Sequence, residues 1–234
     1  MRNALGVAFM NTTFYTRFGK RCFDLLVASL GILLISPLLV IVAVLVRCSG
    51  AGPVFFRQVR IGQFGRPFQI FKFRTMRAAD ATASQLTAAG DPRVTRLGAW
   101  LRRTKIDELP QLFNVVLGDM SLVGPRPEVP EFTAAYRPEQ QRVFAARPGI
   151  TGPSANVYEE ELLASHLDKE RFYVTTVMPA KLVVDLAYCE NIAFKCDLYV
   201  LYQTFVKLLS RIYQPEKGLA HAPGHPLNLR AREK

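Results

Sequence analysis

The hydrophobic pattern is dominated by one interval without charge. From Leu25 to Val46, 22 consecutive residues include no Asp, Glu, Lys or Arg. As a helix rising about 1.5 Å per residue, the run is about 33 Å long, enough to cross a bilayer core. It is longer than a signal-peptide core, starts after 24 residues, and is followed by no small-residue cleavage site. Ser36-Pro37 stands in its middle. Proline removes a backbone donor and kinks a helix, and the Ser36 hydroxyl can cover the carbonyl thus freed. Arg17, Lys20 and Arg21 precede the run; Arg47, Arg57, Arg60 and Arg66 follow it. Placing both flanks in the cytoplasm best satisfies the positive-inside rule. Two topologies stay open, a kinked span and a re-entrant helix that enters and leaves by one face. Asp24 suits the interface at the start of the run.

Shorter patterns follow. Gly52-Pro53 ends the membrane element. Val54–Arg60 and Phe68–Arg74, separated by a turn region at Gly62–Gly65, predict a hairpin. Val94–Arg103 predicts an amphipathic helix, with Val94, Leu97 and Leu101 on one face and Arg93, Arg96, Arg102 and Arg103 making it basic. Pro110 opens another helix, whose face of Leu112, Val115 and Val116 ends near Gly118. Tyr188–Tyr213 has the spacing of a packing or interfacial amphipathic helix.

Composition sharpens this picture. The 234 residues are 50% hydrophobic and carry a net charge of +11, which excludes a disordered chain and predicts anionic partners. The charge is segregated. Arg47–Lys105 holds twelve bases and two acids, whereas Asp107–Glu190 holds thirteen acids and seven bases. A nucleic-acid binder is usually basic throughout. Aromatics interleaved with Arg and Lys immediately after a membrane element favour anchoring on lipid phosphates over base stacking. Cys22, Cys48, Cys189 and Cys196 lack CxxC spacing and read as reduced thiols. His166, His221 and His225 make no metal constellation.

The candidate chemistry lies where the basic block ends. Asp107 and Glu108 fall at the predicted start of a helix, where acids ordinarily cap free N–H groups. Beside so many cations, a carboxylate there stays ionised and can attack phosphorus to form an acyl phosphate. The neighbouring Glu108 is placed to help hold Mg²⁺ shared with substrate phosphates. Pro125-Arg126-Pro127 fixes an arginine on stiff backbone, and Arg147-Pro148-Gly149-Ile150-Thr151-Gly152 repeats that theme. Each also reads simply as a polar loop.

Taken together, several segments resemble the bacterial sugar transferase family, the monotopic phosphoglycosyl transferases. They are Lys20–Asp24, Ser36-Pro37, Gly52–Gln58, Lys72–Met76, Asp107–Val115, Gly118–Glu128 and Arg147–Gly152, in the family's order over about residues 17–210. The resemblance implies transfer of a phosphosugar from a UDP-sugar to polyprenol phosphate, with release of UMP. It makes Asp107 the nucleophile and Glu108 its partner and Mg²⁺ ligand. It makes Lys72, Arg126, Arg74 and Arg103 substrate-binding, with Arg147 on its stiff turn a further substrate-binding candidate, and Ser36-Pro37 the break of a re-entrant helix.

The implied fold is mainly α with a small β-hairpin, monotopic, with a re-entrant kinked helix and interfacial amphipathic helices. Residues 1–50 form the N-terminal segment and membrane helix, 51–213 a cytoplasmic catalytic domain at the interface, and 214–234 a flexible tail. The expected form is the short one, limited to the catalytic domain. The expected location is the cytoplasmic face of a bacterial inner membrane. Membrane lipids and downstream glycosyltransferases are expected partners, and nucleic acid is not.

Two features depart from the family pattern. Pro153–Glu161 replaces a Gln-Val-Asn-like stretch, and Lys105 stands where a smaller residue is frequent. Glu159-Glu160-Glu161 reads as a solvated helix start or a second metal site. Two other classes stand beside the transferase: a non-enzymatic basic module tethering nucleic acid or anionic lipid to a membrane, and an inactive scaffold.

Overall fold

The computed structural model describes residues 13–77, 91–156 and 168–213. Glu159–Glu161, the three histidines and the segment 214–234 lie outside the described residues.

The uncharged run is one helix, α1 (Lys20–Cys48), entered through a π turn at Tyr15–Gly19. It continues through Pro37. Pro37 has no N–H to bond the Leu33 carbonyl, and Ser36 Oγ donates to that oxygen instead, at 2.9 Å. One face of α1 is bare along its whole length, with Leu26, Leu30, Leu33, Leu34, Val40, Ile41 and Val44 exposed. The other face is anchored at both ends. Ala28, before the proline, joins the main core with Val115, Met120 and Leu122. Val42 and Val46, after it, pack with Phe73 and Leu101 in a second cluster.

The predicted hairpin forms from β1 (Phe55–Ile61) and β2 (Pro67–Phe73), paired antiparallel from Phe55 opposite Phe73 to Ile61 opposite Pro67. Helix α2 (Arg96–Thr104) begins at Thr95, whose hydroxyl accepts from the Gly98 N–H at 2.9 Å. A Cβ on Gly98 would lie 1.9 Å from the Thr75 carbonyl oxygen, so only glycine lets α2 rest on the end of β2. Helix α3 (Gln111–Leu117) stops at Gly118, which has φ 98°.

A feature absent from the sequence reading is a short parallel pair, β3 (Ser121–Val123) with β4 (Gly149–Thr151). The chain leaving β3 runs so close to the segment entering β4 that a Cβ on Gly124 would meet the Arg147 carbonyl oxygen at 2.3 Å. Helix α4 (Pro130–Thr133) follows. Helix α5 (Lys169–Phe172) passes through a second π turn (Tyr173–Val177) into α6 (Met178–Glu190), and α7 is Phe194–Tyr213. The predicted helix over Tyr188–Tyr213 is thus two helices, divided at Asn191–Ala193.

Tyr15–Cys48 and Lys169–Glu190 are both long and apolar enough to cross a membrane. The second carries the buried Lys181 and Asp185 and supplies Tyr173, Val177, Met178 and Leu182 to the main core. Its hydrophobicity is therefore explained by packing inside the protein. The first buries little of its surface.

The N-terminal end of α1 is fastened by polar contacts. Asp24 Oδ1 accepts the Leu122 N–H at 3.1 Å. Lys20 Nζ and the Tyr15 hydroxyl both donate to Asp197 Oδ2 at 2.5 Å, and the Tyr188 hydroxyl donates to Asp197 Oδ1 at 2.5 Å. Arg21 donates to the Val115 and Val116 carbonyls at 2.7 and 3.1 Å, at the C-terminal end of α3.

Candidate active site

Asp107 and Glu108 sit on a separate 3₁₀ turn (Ile106–Glu108) between α2 and α3. This corrects the expectation that they cap a helix: α3 begins at Pro110–Gln111, and no side chain caps it. The turn depends on Lys105, which adopts the left-handed conformation (φ 58°) that ends α2. For a residue other than glycine this costs about 1–2 kcal/mol.

Asn114 sets the distance between the turn and the hairpin. Fully buried on α3, it accepts the Phe71 N–H at 3.0 Å and donates to the Gln69 carbonyl at 2.7 Å. Its amide thus acts as a short extra strand beside β2. The Asn114 backbone carbonyl meanwhile accepts from the N–H groups of Gly118, Asp119 and Met120. Phe71 precedes Lys72, so fixing α3 to β2 brings Lys72 to the carboxylates. Lys72 Nζ donates to Glu108 Oε1 at 2.7 Å, and Lys105 Nζ lies 3.7 Å from the same oxygen.

The two acids have opposite electrostatics. Burial pushes Asp107 up to about 6 and the Glu108 charge adds to this, against Lys72, Lys105 and Arg102. Burial would raise Glu108 as well, but Lys105, Lys72 and Arg126 outweigh it and hold the group well below the usual range. Burial depresses Lys72, Glu108 opposes this, and the nearby Arg126 charge adds to it. Of the two acids, Glu108 is therefore the one held more firmly in its ionised form. Asp107 is 7% exposed, and its Oδ1 is buried with no hydrogen-bond partner among the described residues.

Lys72, Asp107, Glu108 and Arg126 are thus brought together. Arg103 lies on the exposed side of α2. Arg74 donates to the carbonyls of Val46, Gly50 and Ala51 at 2.7–2.8 Å, where it closes the C-terminal end of α1. Arg147 is half-buried, and the charges acting on it are those of Arg21 and Asp24 at the other end of α1. Burial and then Arg21 lower its pKa, and Asp24 opposes them.

Residues that the sequence reading did not assign to the site are Lys105, Arg102 and Asn114. The first had a signal, a long cation directly before the acid pair. Asn114 had none, because its partners are more than forty residues away.

Two adjacent carboxylates, one held ionised, form a hard oxygen donor set of the type Mg²⁺ takes together with phosphate oxygens. Among the described residues no group of three His, Cys, Asp or Glu could hold a metal by itself. A metal that brings phosphate ligands of its own fits this arrangement.

The chain belongs to the bacterial sugar transferase family, whose sequence model matches residues 15–211. It is 38% identical over 197 residues to the UDP-N-acetylgalactosamine-undecaprenyl-phosphate N-acetylgalactosaminephosphotransferase of Aeromonas hydrophila, covering 82% of this chain and 44% of that protein. It is 38% identical over 193 residues to the UDP-glucose:undecaprenyl-phosphate glucose-1-phosphate transferase of Klebsiella pneumoniae, covering 80% and 39%. An exopolysaccharide production protein, PSS, of Rhizobium leguminosarum bv. phaseoli is 36% identical over 200 residues, covering 82% of this chain and 96% of that one. The chain spans less than half the length of the first two relatives.

Proposed function

We propose that this chain is a phosphoglycosyl transferase acting at the cytoplasmic surface of a bacterial membrane. It moves a phosphosugar from a UDP-sugar to polyprenol phosphate through a phospho-aspartate on Asp107. One observation carries this reading: a buried carboxylate with an uncommitted oxygen lies beside an ionised glutamate and within the field of Lys72, Lys105 and Arg102.

In the first half-reaction an Asp107 oxygen attacks the sugar-bearing phosphorus. The bond to the bridging oxygen breaks, and UMP leaves with the electron pair. In this reading Lys72, Arg126 and Lys105 neutralise charge on the phosphates. A phosphate oxygen of the polyprenol phosphate then attacks the phospho-aspartate. The Asp107 carboxylate is restored and a polyprenol diphosphosugar leaves. Neither attack requires a proton to be removed, so no general base is assigned. Glu108 would hold Mg²⁺, which when bound supplies positive charge to the substrate's phosphate oxygens. The curated relatives are named for undecaprenyl phosphate and for UDP-glucose or UDP-N-acetylgalactosamine, and this supports the substrate classes.

The α1 helix enters and leaves the bilayer by the cytoplasmic face. Support comes from its two anchors. A helix of 29 residues is about 43 Å long, and one that crossed to the far side could not bury both Ala28 and Val46 against the same domain. Labelling of a cysteine at Thr13 tests this: access from the cytoplasmic side only is expected, and access from the periplasmic side alone means that α1 spans.

The chemistry is tested with a panel of labelled UDP-sugars and no lipid acceptor. Mass spectrometry should find a phosphosugar adduct on Asp107, absent from Asp107→Asn. Product formation without any adduct would exclude the covalent route.

A further inference from the structure

Arg126 lies on the strap Pro125–Glu128, which follows β3, close enough for its charge to act on Lys72 and Glu108. A sequence-level account gives its stiffness to the two prolines. Proline fixes φ, however, and not where the segment sits, and the strap makes no regular secondary structure.

What holds it is a buried polar face on the α5–α6 segment. Lys181 Nζ donates to Glu128 Oε1 at 3.0 Å and to the Tyr173 hydroxyl at 2.9 Å. The Tyr173 hydroxyl in turn donates to Glu128 Oε1. One turn beyond Lys181, Asp185 Oδ2 accepts the Arg126 N–H at 3.4 Å and the Ser154 hydroxyl at 2.8 Å. From the hairpin, Arg60 Nη1 donates to the Pro127 carbonyl at 3.1 Å and lies 4.0 Å from Glu128 Oε2. Lys181, Asp185 and Glu128 are 3%, 3% and 7% exposed.

Tyr173 and Lys181 are eight residues apart, separated by the π turn at Tyr173–Val177. That turn inserts an extra residue into the helical repeat and so changes which side chains share a face.

Buried charges contribute little to net stability compared with apolar packing of the same volume, so this cluster calls for another role. We infer that Glu128, Lys181 and Tyr173 are positioning residues for the transfer reaction, a buried brace that holds the strap so that Arg126 stays near Lys72 and Glu108. They touch neither substrate nor the reacting atoms. The inference rests on the transferase reading for its kinetic consequence, but the brace itself is independent of it.

The test measures UMP release by Lys181→Met, Lys181→Arg and Tyr173→Phe. Misplacing a catalytic group by about 1 Å can cost on the order of a hundredfold. Lys181→Met is expected to lower kcat by about tenfold to a hundredfold, with KM for the UDP-sugar changed by less than about threefold. Lys181→Arg should restore most of the loss. Tyr173→Phe keeps the ring packed on Phe132 and removes only the hydroxyl, so it covers the case in which Lys181→Met fails to fold; about a threefold to tenfold fall in kcat is expected. Wild-type kcat in Tyr173→Phe, or a loss confined to KM, overturns the inference.

Should the wild-type chain release no UMP from any UDP-sugar, the transferase reading fails instead. The brace is then read from amide hydrogen exchange of the 122–129 peptide in Tyr173→Phe. Faster exchange there, with the 105–115 peptide unchanged, supports the brace. Unchanged exchange in both refutes it.

Discussion

Lys72 Nζ sits 2.7 Å from Glu108 Oε1, while Oδ1 of the adjacent Asp107 is buried without a partner. Two neighbouring carboxylates are thereby divided: one is neutralised by a lysine from the hairpin, and the other keeps an oxygen available. Lys72→Met removes one of the cations that separate their roles. We expect UMP release to fall by about 10²–10³, the range found on deleting one charge-stabilising donor. A Lys72→Met enzyme with undiminished kcat would show that the pairing is only structural.

Asp107 should set an acid limit on the first half-reaction. Its pKa is raised to about 6, and in the proposed mechanism only the ionised form attacks. The rate of adduct formation should be level above about pH 7 and fall roughly tenfold per unit below pH 6. A profile that stays flat down to pH 5 would contradict the assignment. Single-turnover quench experiments give this directly.

The same raised value predicts a stability cost. An acid whose folded pKa lies above its unfolded value of 3.8 is held less well as a charged group in the folded state. The folded protein is therefore penalised as pH rises through 3.8, and the penalty is complete above about 6. At about 1.36 kcal/mol per unit it amounts to roughly 3 kcal/mol. Asp107→Asn should then be inactive yet more stable at pH 7, by up to that amount, with the gain vanishing toward pH 4. Thermal melts of the two proteins across this range check it.

Arg74 should behave as a fastener of α1. Its guanidinium covers three carbonyls at the end of that helix. Replacement by Met removes charged hydrogen bonds worth about 1.5–3 kcal/mol each in a buried setting, less where exposed. The expected result is a lower melting temperature with KM for the UDP-sugar unchanged. A KM effect without loss of stability would return Arg74 to the substrate site.

Gly98→Ala is predicted to be disproportionately harmful for an alanine in a helix. The new methyl would meet the Thr75 carbonyl at 1.9 Å, and backbone cannot rotate away as a side chain can. Overpacking of this kind costs about 1–3 kcal/mol. Moving α2 also moves Arg102 and Lys105, so the Asp107 acid limit should shift with stability. An unaltered melt and pH profile would mean that α2 does not need this contact.

Much of this architecture could be read from local pattern. The uncharged run, the hairpin, the basic helix and the acid pair are all short-range signals, and the Ser36 contact to the Leu33 carbonyl follows from having proline four residues on. The parts that were not legible depend on pairing at a distance. Arg74 lies in a basic block beside Lys72, and nothing local separates a residue that meets Glu108 from one that meets α1. Arg147 matched Arg126 in its proline-glycine setting, yet the chain delivers it beside Arg21 and Asp24. Lys181 and Asp185 sit in a stretch apolar enough to pass for a membrane segment, and only its burial shows their use. The helix cap expected of Asp107 and Glu108 failed because Lys105 turned left-handed one step earlier.

Asp197 collects three donors, and two of them, Tyr15 and Lys20, come from the opposite end of the chain, the tyrosine 182 positions away. Their partner is made last. At a synthesis rate of about 5–20 residues per second, the first helix waits roughly 10–40 s before Asp197 exists. During that interval nothing from α7 holds its N-terminal end. The order of synthesis thus leaves the N-terminal end of α1 without its α7 partner until most of the chain exists.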